Sequence, residues 1–193
     1  HAARPDEGID AVVLAAHVIL ACQNAVARRI SPIASGVLTI GRIQGGVAEN
    51  VLAERVSLAG TIRYFEADVR ETLQEELRRA LRVAESLGGR FTLDLRPGYP
   101  PVVNDARMTE LAAAAFTDAF GADAVAEMEL MMGAEDFALL QREAPGSFFW
   151  LGAALEPPRE HHHPNFDIEE RVLSRGAAAL AACAIRALAE LAS

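Results

Sequence analysis

The stretch GVLTIGRIQGGVAENVLAERVSLAGTIRYF, residues 36–65, decides the fold of the first half of the chain. Apolar and polar side chains alternate before Gly45, which is the pattern of a half-buried β-strand. Gly45 and Gly46 then supply the backbone freedom of a turn. The residues that follow Asn50 predict a second strand, antiparallel to the first.

Helical segments flank this hairpin. Residues 8–28 repeat apolar side chains at helical spacing, and residues 69–87 form an amphipathic helix that stops at two glycines. Residues 90–99 alternate as a third strand. The order is that of an α+β unit, and a strand before residue 1 would complete a split β-α-β, ferredoxin-like fold. Because that strand is central in the fold, we expect the sheet of this chain to be open.

The character of the chain changes at a proline-rich linker, PGYPP, at residues 97–101. We therefore predict two segments, residues 1–98 and 99–193. The second should begin with a helix capped by Asn104 or Asp105. A short helix opened by a glycine turn should follow in MMGAEDFALLQREAP (131–145), and then a buried strand at GSFFWLGA (146–153). The last element should be a long helix opened by the acids of FDIEE (166–170).

Charge and composition exclude some functions. The chain has 193 residues and a formal net charge of −9, so it lacks the basic face that nucleic-acid binding needs. Arg175, Arg186 and Glu190 interrupt the apolar last helix, which predicts a packed helix and no membrane partner. We expect a cytoplasmic protein in which Cys22 and Cys183 are small buried side chains.

Three consecutive histidines, His161 to His163, precede a proline between the predicted strand and the last helix. Imidazole is a common zinc ligand, and a loop held at both ends is a good mount for one. A catalytic zinc needs about three protein ligands, however, so this loop alone is not a site. A polar loop remains the alternative, and His17, within the first helix, is more simply a surface or core residue.

Two further places could bind an anion. Asn50 ends the turn and Arg63 lies on the following strand, and an amide with a guanidinium suits a carboxylate. Taken by themselves they are more simply a turn asparagine and an exposed strand arginine. Gly133 lies at a predicted helix start, where backbone N–H groups can hold an anion. Glu135 and Asp136 are there more simply as acids that stabilise the first turn.

Seven motifs in order, HAARP-EG-D, GG-A-NV, GT-R, GYPP-VND, MGAEDFA, PG-F-WLG and HHP-FD, resemble the aminoacylase and carboxypeptidase-G type metallopeptidases. The nearest branch is that of the hippurate hydrolases and N-acyl-L-amino-acid amidohydrolases. The resemblance implies a ferredoxin-like lid at residues 1–98, which lacks its first strand and makes a homodimer. It implies that residues 99–193 are the C-terminal α/β part of a zinc-exopeptidase-type catalytic domain. The family holds two divalent ions, usually zinc, with manganese, cobalt or nickel as alternatives.

The resemblance also implies roles for single residues. His1 would stabilise the oxyanion in the neighbouring subunit's site, and Asn50 and Arg63 would hold the substrate's carboxylate or scissile region. Gly133 would begin the loop that shapes the substrate pocket. His162 would be a metal ligand flanked by His161 and His163. The implied reaction is hydrolysis of the amide bond of an N-acyl amino acid or small peptide by a metal-activated water, with a glutamate as general base.

The family's other metal ligands and its glutamate precede the lid, and they have no counterpart in this sequence. We therefore expect the chain alone to be inactive and a longer parent protein to be the enzyme. The alternative is a non-enzymatic module that dimerises or binds carboxylates. A histidine-loop metal-binding protein unrelated to hydrolysis is the third and weakest hypothesis.

Overall fold

The computed structural model describes residues 1–191, which form two compact units, one from His1 to Gly98 and one that begins at Tyr99. The division falls between the two predicted segments. The roles that the family resemblance assigns to the two units stay predictions.

The first unit is built on an antiparallel hairpin of β1 (Gly36–Gly45) and β2 (Val56–Tyr64). The predicted hairpin is thus confirmed, with a β-bulge in β1 between Ile40 and Arg42. The strands approach closely at Gly60, where a Cβ atom would lie 2.1 Å from the carbonyl oxygen of Thr39. Only glycine allows this approach.

Two long helices cover one face of the hairpin. Helix α1 (Ala11–Asn24) is capped by Asp10, whose Oδ1 accepts the Val12 N–H at 2.9 Å, and it continues as a π-helical turn, Ala25–Arg29. Helix α2 (Ala67–Ser86) follows the hairpin directly. The buried core contains the side chains of Val18, Cys22, Ala25, Leu38, Val69, Leu73, Ala80 and Ala84. Burial raises the pKa of the Cys22 thiol, as expected of a structural cysteine.

Two predicted strands are wrong. Residues 90–99 and 146–153 have no regular secondary structure, and the sheet of the described residues contains only β1 and β2. The physical reason is that an alternating pattern reports burial on two faces, whereas a strand also needs a neighbour for its hydrogen bonds. No segment among residues 1–191 provides that neighbour.

In the part of the chain whose burial is described, Glu76 on α2 is the one buried charged side chain, with a relative exposure of 6%. Its Oε1 atom lies 3.0 Å from Nε of Arg29 and 3.1 Å from a guanidinium nitrogen of Arg79. The carboxylate thus joins the end of the π-helical turn to α2. Both arginine side chains are about half exposed, so solvent partly screens their charges.

Replacing Glu76 by glutamine should lower the free energy of unfolding of the first unit by about 1.5–3 kcal/mol, since buried hydrogen bonds to a charged group are lost. The matched control is Glu75→Gln, because Glu75 also contacts Arg79, at 3.3 Å, but is exposed. This control should cost about 0–1 kcal/mol. Urea unfolding followed by circular dichroism measures both, and equal losses would contradict the structural role of Glu76.

The described residues of the second unit contain three α-helices: α3 (Ala106–Phe120), α4 (Phe137–Leu140) and α5 (Leu173–Leu191). Asp105 caps α3, accepting the Met108 N–H at 2.9 Å. Asn104, the other predicted cap, instead exchanges two hydrogen bonds, of 2.8 and 3.0 Å, with the backbone of Phe148. Helices α3 and α5 pack together, and Arg186 forms an ion pair with Asp118 at 2.6 Å.

By length and composition, two helical segments, Ala11–Arg29 and Glu170–Glu190, could cross a membrane. This is weak evidence, because the core helix of a soluble protein passes the same test. The first segment buries Ala15, Val18 and Cys22 against the rest of its unit.

Candidate functional site

The N-terminal segment is fastened to the hairpin turn. The Ala2 N–H donates to the carbonyl oxygen of Asn50 at 3.0 Å, so His1 and Asn50 lie in the same region of the first unit. Both side chains are exposed, and Nδ1 of His1 accepts the Ala3 N–H at 3.1 Å. The other ring nitrogen of His1 has no partner among the described residues and could donate to a ligand.

Arg63 lies at the other end of the hairpin. It pairs with Val37 on β1, and seven residues separate it from Val56, which begins β2 after the turn. At about 3.3 Å per residue, this separation is roughly 23 Å. Asn50 and Arg63 therefore do not meet within one chain, although their closeness in sequence suggested that they could act together.

The Arg63 side chain is half buried and points to the face of the hairpin opposite the helices, because its neighbours Ile62 and Tyr64 pack against the core. It has no ion pair or hydrogen bond with any residue that the structure describes. An arginine without a partner is suited to bind the carboxylate of a ligand.

Gly133 lies in an irregular, exposed loop, and α4 begins only at Phe137. The prediction that Gly133 lies at a helix start is therefore wrong. The Phe137 N–H donates to Oε1 of Glu135 at 3.2 Å, so an acid of the chain itself occupies the place expected for an anion. The turn therefore continues through Asp136, and the Glu135 side chain, not the backbone at Gly133, provides the hydrogen bond before α4.

The histidine loop, residues 159–167, is closed by its own contacts. Arg159 and Asp167 form an ion pair of 2.9 Å across its base. Within it, the His163 N–H donates to the carbonyl oxygen of Glu160 at 3.3 Å, and the Phe166 N–H donates to that of His163 at 2.9 Å. Contacts between residues of the loop itself therefore stabilise its conformation.

The two flanking histidines are engaged within the second unit. The ring of His161 lies edge-to-face on Phe166, with centroids 4.9 Å apart, and 6.5 Å from the ring of Trp150. Nδ1 of His163 accepts the Asn165 N–H at 3.1 Å. These contacts could not be found from the run of identical letters in the sequence.

His162 differs from both neighbours. Its backbone has φ 64°, in the left-handed region that non-glycine residues rarely adopt. Its side chain is exposed and has no hydrogen bond or ring contact with the described part of the chain. Both imidazole nitrogens of His162 are thus available to a ligand.

The residues present fit one ligand position of a metal site but not a whole site. No group of three His, Cys, Asp or Glu side chains that could hold an ion occurs among residues 1–190. Because a catalytic zinc needs about three protein ligands, His162 would have to share the ion with residues outside this set.

The acids after the loop stabilise the start of the last helix. Glu169 accepts hydrogen bonds from the backbone and side chain of Arg171, and these lower the pKa of Glu169 to about 2. The Glu169 N–H also donates to the carbonyl oxygen of Ala153 at 2.9 Å. Glu169 is therefore a helix-capping residue, ionised throughout the neutral range.

The mixed α/β architecture with a small antiparallel sheet is shared with solved peptidase structures on which the chain superimposes. One of them is the Bacillus subtilis YxeP protein, a dinuclear metal-binding peptidase from the M20 family, with a TM-score of 0.70 and 30% identity over 92% of this chain and 46% of that one. The chain also matches the family model of Peptidase family M20/M25/M40 over residues 4–186, and it belongs to this family. The family resemblance predicted from the motifs is thereby confirmed.

Two relatives show the extent of the match. The probable hydrolase sll0100 of Synechocystis sp. is 37% identical over 93% of this chain and 47% of the relative. The N-acetylcysteine deacetylase of Bacillus subtilis is 34% identical over 90% of this chain and 45% of the relative. The chain thus spans about half the length of the curated relatives it matches.

Proposed function

We propose that the chain is a portion of a metal-dependent amidohydrolase that cleaves the amide bond of N-acyl amino acids or small peptides. The family match over residues 4–186 and the N-acetylcysteine deacetylase among the relatives support this reaction class. The observation that carries the proposal is the free imidazole of His162, presented at positive φ by a loop that its own contacts close.

In this proposal His162 would bind one of two divalent ions. Zinc is the proposed metal, and manganese, cobalt and nickel are the alternatives. When bound, the ions would supply Lewis-acid chemistry at the scissile carbonyl. His1 donates a hydrogen bond to the developing oxyanion through its free ring nitrogen. Gly133 belongs to the loop that shapes the substrate pocket.

Arg63 binds the substrate's carboxylate, and Asn50 contacts the scissile region together with His1. This division follows the separation of the two ends of the hairpin, roughly 23 Å at about 3.3 Å per residue. The two ends should therefore affect different steps, Arg63 substrate binding and His1 the chemical step.

We also propose a homodimer through the lid, residues 1–98. The two-stranded sheet of the described residues has unpaired outer edges, and α1 exposes Val12, Val13 and Leu20, so both surfaces are suited to a second copy. A clean monomer at high concentration in sedimentation velocity would contradict this. A cytoplasmic location without nucleic-acid or membrane partners stays a prediction from charge and composition.

The function is tested with two proteins, the 193-residue chain and a full-length protein that contains it. Supplied with zinc, the chain should not hydrolyse N-acetyl or N-benzoyl amino acids, because its described residues provide no three-ligand site. The full-length protein should hydrolyse them, lose activity to a chelator and regain it with metal. Turnover by the chain alone would contradict the expected inactivity. An inactive full-length protein that still dimerises or binds carboxylates would instead support the non-enzymatic module.

In the full-length enzyme, Arg63→Ala should raise KM about 10–100-fold with little change in kcat or metal content, because a charge-assisted hydrogen-bonded pair is lost. Arg63→Lys should recover part of the loss. The matched control is Arg42→Ala, since Arg42 is an exposed arginine on β1 that also lacks a described partner. Steady-state kinetics on one substrate measures all three variants. Equal effects of alanine at positions 42 and 63 would contradict the proposal that Arg63 binds the substrate's carboxylate.

A further inference from the structure

The histidine loop is connected to the body of the second unit by a row of aromatic rings. Successive ring centroids lie 5.6 Å apart between Phe137 and Phe148, 5.7 Å between Phe148 and Trp150, 6.5 Å between Trp150 and His161, and 4.9 Å between His161 and Phe166. These distances lie in the range of favourable aromatic pairs. We call these five residues the aromatic row.

His161 is the member of the aromatic row that joins the loop to the rest of the unit. Trp150 lies eleven residues before His161 in the sequence, whereas the hydrogen bonds and the ion pair described for the loop reach no further than Ile168. Phe166 and His161 also meet across the loop, on either side of His162 and His163. The ring of His161 thus contacts both a residue outside the loop, Trp150, and the opposite arm of the loop at Phe166.

The backbone of His162 needs such support. A residue with a Cβ atom is less stable at φ 64° than in the right-handed or extended regions, so it keeps that conformation only where its surroundings impose it. On one side, Nδ1 of His163 accepts the Asn165 N–H. On the other side, the ring of His161 contacts Trp150 and Phe166 of the aromatic row. The conformation that presents the imidazole of His162 is therefore imposed from both flanks.

We propose that His161 is a positioning residue whose ring, set between Trp150 and Phe166, holds the loop in the conformation that presents His162 to a divalent metal ion. The inference rests on the proposed function, because presentation matters only if His162 is a ligand. It concerns the shape of the His161 ring and not its nitrogens, so phenylalanine should replace histidine at this position, whereas alanine should not.

The first measurement needs no metal. Trp150 is the single tryptophan of the chain, so its fluorescence reports on the aromatic row alone. In the 193-residue chain, His161→Ala should increase acrylamide quenching of Trp150 about twofold, because a ring that covers part of the indole is removed. His161→Phe should leave quenching near the wild-type value. His17→Ala is the matched control, since His17 is exposed on α1 in the other unit.

The second measurement is the Kd for Zn²⁺ of the full-length enzyme, obtained by competition with a chelator. His161→Ala should weaken binding about 10-fold, within the range found when residues that orient a ligand are removed, and His161→Phe should stay within about twofold. Phe166→Leu should act like His161→Ala, and it serves as the second variant if His161→Ala fails to fold by circular dichroism.

The outcomes separate the two proposals. If His162→Ala leaves zinc binding unchanged, the proposed function fails, whatever His161 does. If His162→Ala abolishes binding but His161→Ala does not weaken it, the positioning role is overturned and the proposed function stands. If His161→Phe weakens binding as much as His161→Ala, the imidazole nitrogens matter, and positioning by ring contact is again overturned.

Discussion

Replacing His162 by asparagine in the full-length enzyme should reduce zinc affinity by more than about 100-fold, since removing residues that merely orient a ligand costs 10–100-fold. The rate should fall about 10³-fold, because a bound ion contributes several kcal/mol of transition-state stabilisation and about 1.4 kcal/mol corresponds to tenfold. Asparagine is the sharpest substitution, since it tolerates positive φ better than alanine and keeps the loop conformation. Metal analysis after dialysis, together with kcat/KM for an N-acyl amino acid, measures the effect.

His163→Ala is the matched control for this variant. It removes the hydrogen bond from the Asn165 N–H but leaves His162 in the chain. We expect a smaller loss of zinc affinity, about tenfold, because only loop order is affected. Full metal occupancy in the His162→Asn protein would contradict the ligand assignment, and a loss at position 163 as large as at position 162 would leave the two histidines undistinguished.

Replacing His1 by alanine in the full-length enzyme should lower kcat about 10²–10³-fold, which is the loss found when one donor to an oxyanion is removed. KM and metal content should change little, because the hydrogen bond forms chiefly in the transition state. Arg4→Ala is the control, since Arg4 lines the same pocket beside His1, an opening of about 310 Å³. A rise in KM without a fall in kcat would contradict the oxyanion role.

A mixing experiment tests whether His1 serves the neighbouring subunit. Dimers that combine a His1→Ala subunit with a His162→Asn subunit should recover activity, because one of their two sites then has both an intact ligand and an intact His1 from the partner. If His1 acted within its own chain, each subunit of the mixed dimer would lack one group. The mixture would then stay as inactive as its parents.

Local signals in the sequence predicted much of the fold. The glycine pair at the end of β1, the helical spacing of residues 8–28 and 69–87 and the cap at Asp105 each depend on a few neighbouring residues. Residues 90–99 and 146–153 could not be assigned in the same way, because pairing depends on a second segment and not on the pattern of the first.

The candidate site shows the same limit. The motifs of the sequence predicted roles for His1, Asn50, Arg63 and His162, but not the distance between Asn50 and Arg63, which depends on the register of the hairpin. They did not identify the different contacts of His161 and His163 either, because the aromatic partner Trp150 lies eleven residues away. The sequence therefore predicted which residues are candidates, whereas the distances between them and the contacts that hold them required the structure.

The bulge in β1 has a consequence for the hairpin as a whole. Ile40 pairs with Gly60 and Arg42 with Ala59, so Gly41 has no counterpart on β2. Because of this one unmatched residue, Ile43 lies opposite Leu58 on the same face of the hairpin, and the local twist increases. A bulge bends its strand, so this one contributes to how the Asn50 end of the hairpin is turned relative to the Arg63 end. Two relatives with identical side chains would orient these ends differently if one lacked this residue, so the orientation of the hairpin's two ends depends on strand length as well as on residue type.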